Sequence, residues 1–336
     1  MHETLPELAP RAGVAPRVAF VRLRSLGDTL VMTPAAAALK SWRPDVQLAI
    51  VVESRYTPLL EHNPDFETVI TVPGGAVGRW HAGRALRRFR PQVALGLHGG
   101  STAAALVRTS GAHHRATFLG LRHRWAYNLL TPPKMPPPGR VRLHAVEHVF
   151  SLLEALGLPA RAPGPLRLAV RPEARRRMRE RLAQRGLEGA YAFLNTEARE
   201  PGMRWPQERF AALAAWLRRT YGLASVQASA GAGEPVEGAT LVSATSIEEL
   251  MALEAEATLV AGNDGGPIHI AAALRKPTAV VYSTTDVEVW YPWQTQARWH
   301  QKLPIEAITL EQVQADVEAL LKPSGSSMVL TGPSPP

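Results

Sequence analysis

The sequence predicts an α/β protein built from two doubly wound parallel-sheet domains, and three observations carry that prediction. Short apolar, β-branched runs alternate with helical patterns from residue 17 to residue 321. Such alternation is the signature of strands buried on both faces and joined by crossover helices. The Pro- and Gly-rich stretch GLPARAPGPLRL at 157–168 divides the 336 residues into halves of ordinary domain size. Finally, each half holds a strand that breaks at glycine and aspartate just before a helix: RLRSLGDTL at 22–30 and LVAGNDGGPIHIAAAL at 259–274.

In the first half the apolar runs place strands at 17–23, 46–52, 68–72 and 93–97. Helices are expected at 28–42, 56–61, 79–89, 101–109 and 144–156, with Pro34 tolerated only near the start of the first. The run TPPKMPPPGR at 131–140 cannot be regular structure and reads as a loop. In the second half strands are expected at 191–194, 224–228, 240–242, 258–260 and 278–282. Helices alternate with them at 172–185, 206–221, 246–254, 267–274 and 310–321. The implied organisation is an N-terminal extension (1–16), a first domain (17–165), a second domain (166–305), a closing helix (306–322) and a disordered tail (323–336).

Composition narrows the chemistry. Cysteine is absent, so thiolate nucleophiles, disulfides and cysteine zinc sites are excluded. The first fifteen residues carry Glu and Pro where a secretory leader needs an apolar core, and no apolar run approaches a membrane span. A cytoplasmic protein is expected. Residues 1–161 hold 20 Lys+Arg against 10 Asp+Glu, whereas the remainder holds 18 against 19. No acidic residue occurs between Thr68 and Val146, a segment with eleven arginines and one lysine. A field of one sign this broad attracts anions, either nucleic acid, a phosphorylated glycolipid or an acidic membrane face.

Two corners are candidate sites. At NDGGPIHI (263–270) glycines let a ligand approach the backbone, and the first helical N–H groups and helix dipole favour an anion. Pro267 suits the first turn, and His269 follows within reach of the same ligand. The structural alternative is Asp264 as an ordinary N-cap. At RLRSLGDTL, Asp28 stands at a strand's carboxyl end, where a carboxylate acts as a general base or again as a cap. The loop FLNTEAREPGMRWPQERF (193–210) adds Arg and hydroxyl side chains suited to a diphosphate, or a polar loop with Trp205 turned inward. HAVEH (144–148) matches the H-x-x-E-H zinc-protease pattern without a third ligand, and also fits a plain amphipathic helix. Neither a Gly-Lys dipeptide for a P-loop nor a DxD pair for a metal is present.

Together these segments resemble the bacterial heptosyltransferase family of glycosyltransferases, glycosyltransferase family 9. The resemblance spans about residues 17–322 and rests on RLRSLGDTLVMTPAAAALK, NTEAREPGMRWPQERF, NDGGPIHIAAALRKPTAVVYSTTD and the helix HAVEHVFSLLEALGL. It implies a GT-B fold of two Rossmann-like domains facing across a cleft, with the closing helix packed back on the first. It further implies an inverting, metal-independent transfer of sugar, heptose from ADP-heptose, to a cell-surface glycolipid or polysaccharide as in lipopolysaccharide core synthesis. In that reading Asp28 is the base, and Asp264, Gly265, Gly266 and His269 hold the diphosphate and sugar. Asn195 and Thr196 add phosphate hydrogen bonds, Arg199 or Arg204 replaces a basic residue expected at Met203, and Glu234 meets the ribose. Gly265 stands where a hydroxyl residue is frequent. Arg24, Arg122 and Arg124 of the basic segment are the expected acceptor contacts. No cofactor, metal or nucleic acid is implied, and peripheral contact with the inner face of the plasma membrane is. The alternatives are a nucleotide-sugar epimerase of related architecture and a zinc hydrolase through His144 and His148.

Overall fold

In the computed structural model, which describes residues 15–322, each half of the chain winds one six-stranded, all-parallel sheet. The expected extension before residue 15 and the tail after residue 322 lie outside the described residues.

The first unit runs β1 (Arg17–Val21), α1 (Leu26–Val31), α2 (Thr33–Trp42), β2 (Gln47–Glu53), β3 (Thr68–Val72), α3 (Gly75–Phe89) and β4 (Val93–Gly96). It continues with α4 (Ser101–Thr109), β5 (His114–Phe118), β6 (Leu129–Thr131) and α5 (Ala145–Ala155). Its strand order is β3-β2-β1-β4-β5-β6. Strand β1 is buried apart from its first residue, which is why it reads as an unbroken apolar run rather than an alternating one.

The second unit opens with α6 (Pro172–Ala183) and β7 (Tyr191–Asn195). It goes on through α7 (Gln207–Tyr221), β8 (Ala224–Ala228), β9 (Ala239–Val242), α8 (Ile247–Glu256), β10 (Leu259–Asn263) and α9 (Gly266–Ala273). It ends with β11 (Thr278–Tyr282), α10 (Val287–Trp290), β12 (Ala297–Gln301) and α11 (Leu310–Leu321). The order β12-β11-β10-β7-β8-β9 repeats that of the first unit. Both are the doubly wound order in which the chain leaves the central strand in both directions.

Several expectations are corrected. The single helix at 28–42 is two helices, α1 and α2, because Pro34 cannot donate to the Leu30 carbonyl. The Thr33 hydroxyl donates to that carbonyl instead, at 2.7 Å. The expected helix at 56–61 is a 3₁₀ segment, Ser54–Leu59, with Pro58 inside it. Strands β5 and β12 (HRATF and ARWHQ) interrupt their apolar pattern with Arg and His, and β6 has three residues; none of these three was expected. β6 and β12 are edges of their sheets, where only one side needs to be apolar.

The unit boundary falls after Ala169 rather than 165. Arg167 belongs to the first unit physically: its amide donates to Thr33 Oγ1 at 2.9 Å and its guanidinium grips Asp65 at 2.8 Å. Helix α11 was expected to pack back on the first domain. Its face Val313, Val317 and Leu320 is buried in the second unit's core with Ile305, Ile308 and Leu217. Apolar residues at i, i+4 and i+7 make one stripe, and that stripe is satisfied on the second sheet.

Glu254 of α8 is wholly buried, and its carboxyl oxygens have no side-chain partner. Burial pushes its carboxyl well above the usual range and outweighs the opposing effects of the Ala271 backbone and Lys276. The folded state therefore retains a proton that the unfolded chain releases near pH 4.5, and stability falls as pH rises above that value toward the raised folded one. The volume-conserving change Glu254→Met removes the penalty. The variant is expected to gain thermal stability over the parent by a margin that widens from pH 5 to pH 8, as read by calorimetry.

Candidate active site

A doubly wound sheet leaves a crevice where its strand order reverses, outside the strands' carboxyl ends. In the second unit the reversal lies between β7 and β10, which pair through Gly262 and Asn195. The two strands meet so closely there that a Cβ on Gly262 would stand 2.2 Å from the Asn195 carbonyl, and Gly262 has φ +142°. Only glycine fits both demands.

The loops after β7 and β10 are joined at this point by one side chain. Buried Asn263 accepts from the Trp205 amide at 2.9 Å and donates to the Thr196 carbonyl at 2.8 Å. The Asn195 amide donates to the Asn263 carbonyl at 2.7 Å, so its nitrogen is committed to the scaffold rather than to a ligand. Trp205 packs inward, as one reading of the loop held. It is buried against Phe210 and donates through Nε1 to the Ile308 carbonyl at 2.8 Å. Met203 is buried beside it, while Arg199 and Arg204 are exposed on the loop, Arg199 lying 3.6 Å from Glu200.

Beyond Asn263 the chain turns directly into α9. The N-cap is Gly265, not Asp264, and Gly265 is extended (φ 164°, ψ −171°). Asp264 turns aside to accept from the Thr285 hydroxyl at 2.6 Å, tying the loop after β11 to the corner. No side chain caps α9, so the amides at its start have no acceptor from the cap residue's side chain. His269 lies in the next turn, 4% exposed, edge-on to Trp290 at 5.7 Å. Glu234 is exposed on the loop after β8, which Gln227 pins by donating to the Glu234 carbonyl at 2.7 Å and accepting from Val236 at 2.9 Å. The second-unit residues proposed from the sequence thus lie at the carboxyl ends of β7, β8 and β10: Asn195 ends β7, Gly266 and His269 are within α9, and the others are on the connecting loops.

In the first unit the order reverses between β1 and β4. Past the end of β1, the Ser25 amide and hydroxyl donate to Asp28 Oδ2 at 2.9 and 3.1 Å, making Asp28 the third residue of a capping box rather than the cap. Its other oxygen pairs with the Arg22 guanidinium, which also donates to the Leu97 carbonyl. An adjacent pocket of about 420 Å³ has Arg24, Glu53, Arg55, Arg79 and His98 among its walls. Arg24 meets Glu53 at 3.1 Å. Asp28 is not on that wall, though its neighbour Arg24 is. Arg122 and Arg124 are exposed on the connection between β5 and β6 and do not line this pocket.

His98 was not anticipated. It follows β4, at the strand order's turning point beside β1, and burial together with the Arg22 charge pushes it below the ordinary histidine value. It is a neutral imidazole at pH 7, able both to donate and to accept. A lone histidine in LGLHGG carries no signal by itself; only pairing of β4 with β1 brings it to the corner.

The H-x-x-E-H segment is structural. His144 is buried as the N-cap of α5, accepting from the Val146 amide at 3.1 Å. Glu147 closes that capping box at 2.8 Å and binds Arg140 at 2.8 Å. His148 stacks on Phe118 with ring centres 3.9 Å apart. The zinc-hydrolase alternative is corrected on these contacts, since capping and stacking hold the two histidines and the glutamate in place.

With this geometry in hand, the family can be assigned. The model of glycosyltransferase family 9 (heptosyltransferase) matches residues 79–312, which include the whole second-unit corner. The chain belongs to glycosyltransferase family 9. It is a glycosyltransferase by that membership, and its two Rossmann-like units are those of the GT-B fold. Lipopolysaccharide heptosyltransferase 3 of Escherichia coli strain K12 is 26% identical over 337 residues, covering 89% of this chain and 96% of that protein. Among solved structures, the family 9 glycosyl transferase of Veillonella parvula superposes with a TM-score of 0.80 at 20% identity, over 92% of this chain and 98% of that one. The E. coli heptosyltransferase WaaC with ADP superposes at 0.73 and 21% identity, over 90% and 99%. At such identities these structures establish the fold.

The corner makes a steric prediction. Gly262→Ala is expected to cost about 3 kcal/mol or more, from a strained φ and a backbone clash together. Gly265→Ser, whose Cβ would find its nearest atom at 3.5 Å, is expected to change stability by less than about 0.5 kcal/mol. Urea unfolding of both variants checks the contrast.

Proposed function

We propose that this family 9 enzyme transfers heptose from ADP-heptose to an anionic glycolipid of the lipopolysaccharide type, with inversion and without a metal. The observation that carries the reading is the uncapped start of α9 at the second unit's strand-order reversal. Amides of Gly265 and Gly266 there would receive the diphosphate, and the helix dipole favours its charge. Arg199 and Arg204, exposed on the facing loop, would add planar guanidinium contacts in place of the buried Met203. The Thr196 hydroxyl would donate to the phosphates. The Asn195 side-chain oxygen, whose amide nitrogen is held by the Asn263 carbonyl, would accept from a hydroxyl of the donor. His269 would meet the sugar, and Glu234 would accept from the ribose hydroxyls. Asp264, tied to Thr285, would hold the sugar's hydroxyl groups.

The Asp28 carboxylate removes the acceptor's hydroxyl proton, and the resulting oxygen attacks the anomeric carbon. That carbon's bond to the diphosphate oxygen breaks with its electron pair, releasing the nucleoside diphosphate. Helix amides, Arg and His stabilise the charge that develops on the leaving group. Arg22 supports the reading of Asp28 as the base, since it fixes one oxygen of the carboxylate, and Ser25 fixes the other. The acid-free, Arg-rich segment of the first unit supplies attraction for a phosphorylated acceptor held at the inner membrane face.

Asp28→Asn keeps the shape and removes the base, so kcat is expected to fall by about 10²–10⁴-fold with ADP-heptose and a lipopolysaccharide-core acceptor. Ser25→Ala loses only a hydrogen bond of about 0.5–1.5 kcal/mol and is expected to keep kcat within about tenfold. Equal losses in both variants would reduce Asp28 to a helix cap. In thermal-shift measurements ADP is expected to raise the melting temperature more than UDP or GDP, by about 2.7 kcal/mol of apparent stability at a hundredfold excess over Kd. An unchanged rate in excess EDTA tests the metal-free step.

A further inference from the structure

Within the basic segment of the first unit, helix α3 carries an exposed face to which the transfer step assigns no residue. On α3 the residues Val77, Trp80, Arg84 and Arg87 follow at i, i+3, i+7 and i+10 and so share one face. Gly78, Ala82 and Leu86 take the opposite, buried face. Val77 is 70% exposed and Trp80 56%, among the largest exposed apolar side chains in the described residues. The Arg84 guanidinium lies 4.8 Å from the centre of the Trp80 ring, a cation–π pair held in the open. Between this face and α4 runs a groove of about 700 Å³, with Trp80, Gly83, Ala105 and Leu106 among its apolar walls and Arg84 and Arg87 on its rim. Neither helix contains an acidic residue, and among the described residues none of Arg84, Arg87, Arg88 or Arg108 meets a carboxylate.

We propose that the α3–α4 face docks the enzyme on an anionic lipid bilayer, with Trp80 and Val77 entering the headgroup boundary and Arg84, Arg87, Arg88 and Arg108 meeting lipid phosphates. The chemistry is that of an interfacial helix: apolar and indole side chains in a short stripe, flanked by guanidinium groups on a helix without carboxylates. Charge complementarity selects an anionic surface over a neutral one, since each arginine near such a surface adds about 1 kcal/mol of attraction. Nucleic acid is the weaker match. Apart from Trp80, the stripe lacks the interleaved aromatic platforms on which unpaired bases stack. The groove and the strand-end pocket share Arg79, Ser101 and Thr102, so docking by this face would bring that pocket next to the bilayer. The further step, that the bilayer thereby presents the acceptor, rests on the function proposed above; the docking itself does not.

The test is co-sedimentation of the full chain with phosphatidylcholine vesicles, with and without phosphatidylglycerol. Binding is expected only with phosphatidylglycerol, and it is expected to weaken as salt rises. The double variant Arg84→Glu with Arg87→Glu is expected to bind at least about thirtyfold more weakly. Trp80→Ala is expected to weaken binding by about threefold to tenfold, with the ADP-induced thermal shift unchanged in both variants. A preserved thermal shift also shows that the variants are folded. Equal binding to both kinds of vesicle, undiminished binding by the double variant, or binding to oligonucleotide but not to phosphatidylglycerol would overturn the proposal. Each of those results leaves the donor reading standing, whereas loss of the ADP response in the parent protein with vesicle binding intact removes the donor reading alone.

Discussion

The reversal of strand order at the centre of each sheet is the constraint from which the site follows. Two neighbouring parallel strands send their connections to opposite faces, so no helix covers the gap between their carboxyl ends. The gap exposes backbone groups that need partners. In the second unit Asn263 supplies them: one amide side chain joins the loops after β7 and β10, and Trp205 anchors the same loop in the core. Gly262 allows the two strands to close to a distance that any Cβ would prevent. A rigid floor of this kind keeps the start of α9 open without a side-chain cap.

The two corners look alike in sequence and differ in chemistry. At the first, the aspartate is gripped from both sides, by Arg22 and by the Ser25 cap, so both carboxylate oxygens are oriented. At the second, the aspartate turns to Thr285 and leaves the helix start to glycines. One arrangement fixes a carboxylate; the other leaves donors for an anion. The charge distribution agrees with this division, because the basic excess lies in the first half while the second is nearly balanced. Under the proposed function, anion recognition in the second unit would rely on local amides and a few arginines, and in the first on a broad field.

Two buried ionisable groups show how the fold sets chemistry that composition leaves open. His98 is held neutral by burial beside Arg22, next to the corner that carries Asp28. Burial holds Glu254 toward its protonated form within the second unit, beside Ala271 and Lys276. Both residues are unremarkable as letters in the chain. Their environments alone separate a polar group at a site from a polar group that lowers stability.

Local chemistry wrote most of the architecture into the sequence. Unbroken apolar runs mark strands such as β1, β2 and β11, whose two faces are both covered, and glycine with aspartate marks the corners where they end. From those the two sheets, the linker region and the loops bearing Asp264, Thr196 and Glu234 were legible. Tertiary structure decided what depends on a neighbour. Edge strands β6 and β12 need only a partner on one side, so their own residues do not announce them. The unit boundary moved to Ala169 because Arg167 finds Asp65, 102 residues away in sequence. Helix α11 shows an apolar stripe, but only packing chose the second sheet to receive it. His144 and Glu147 match a metal motif by spacing, and the cap they form on α5 shows that spacing alone does not fix a role. A side chain's periodicity is a local property, whereas its partner is set by which strands the fold places side by side.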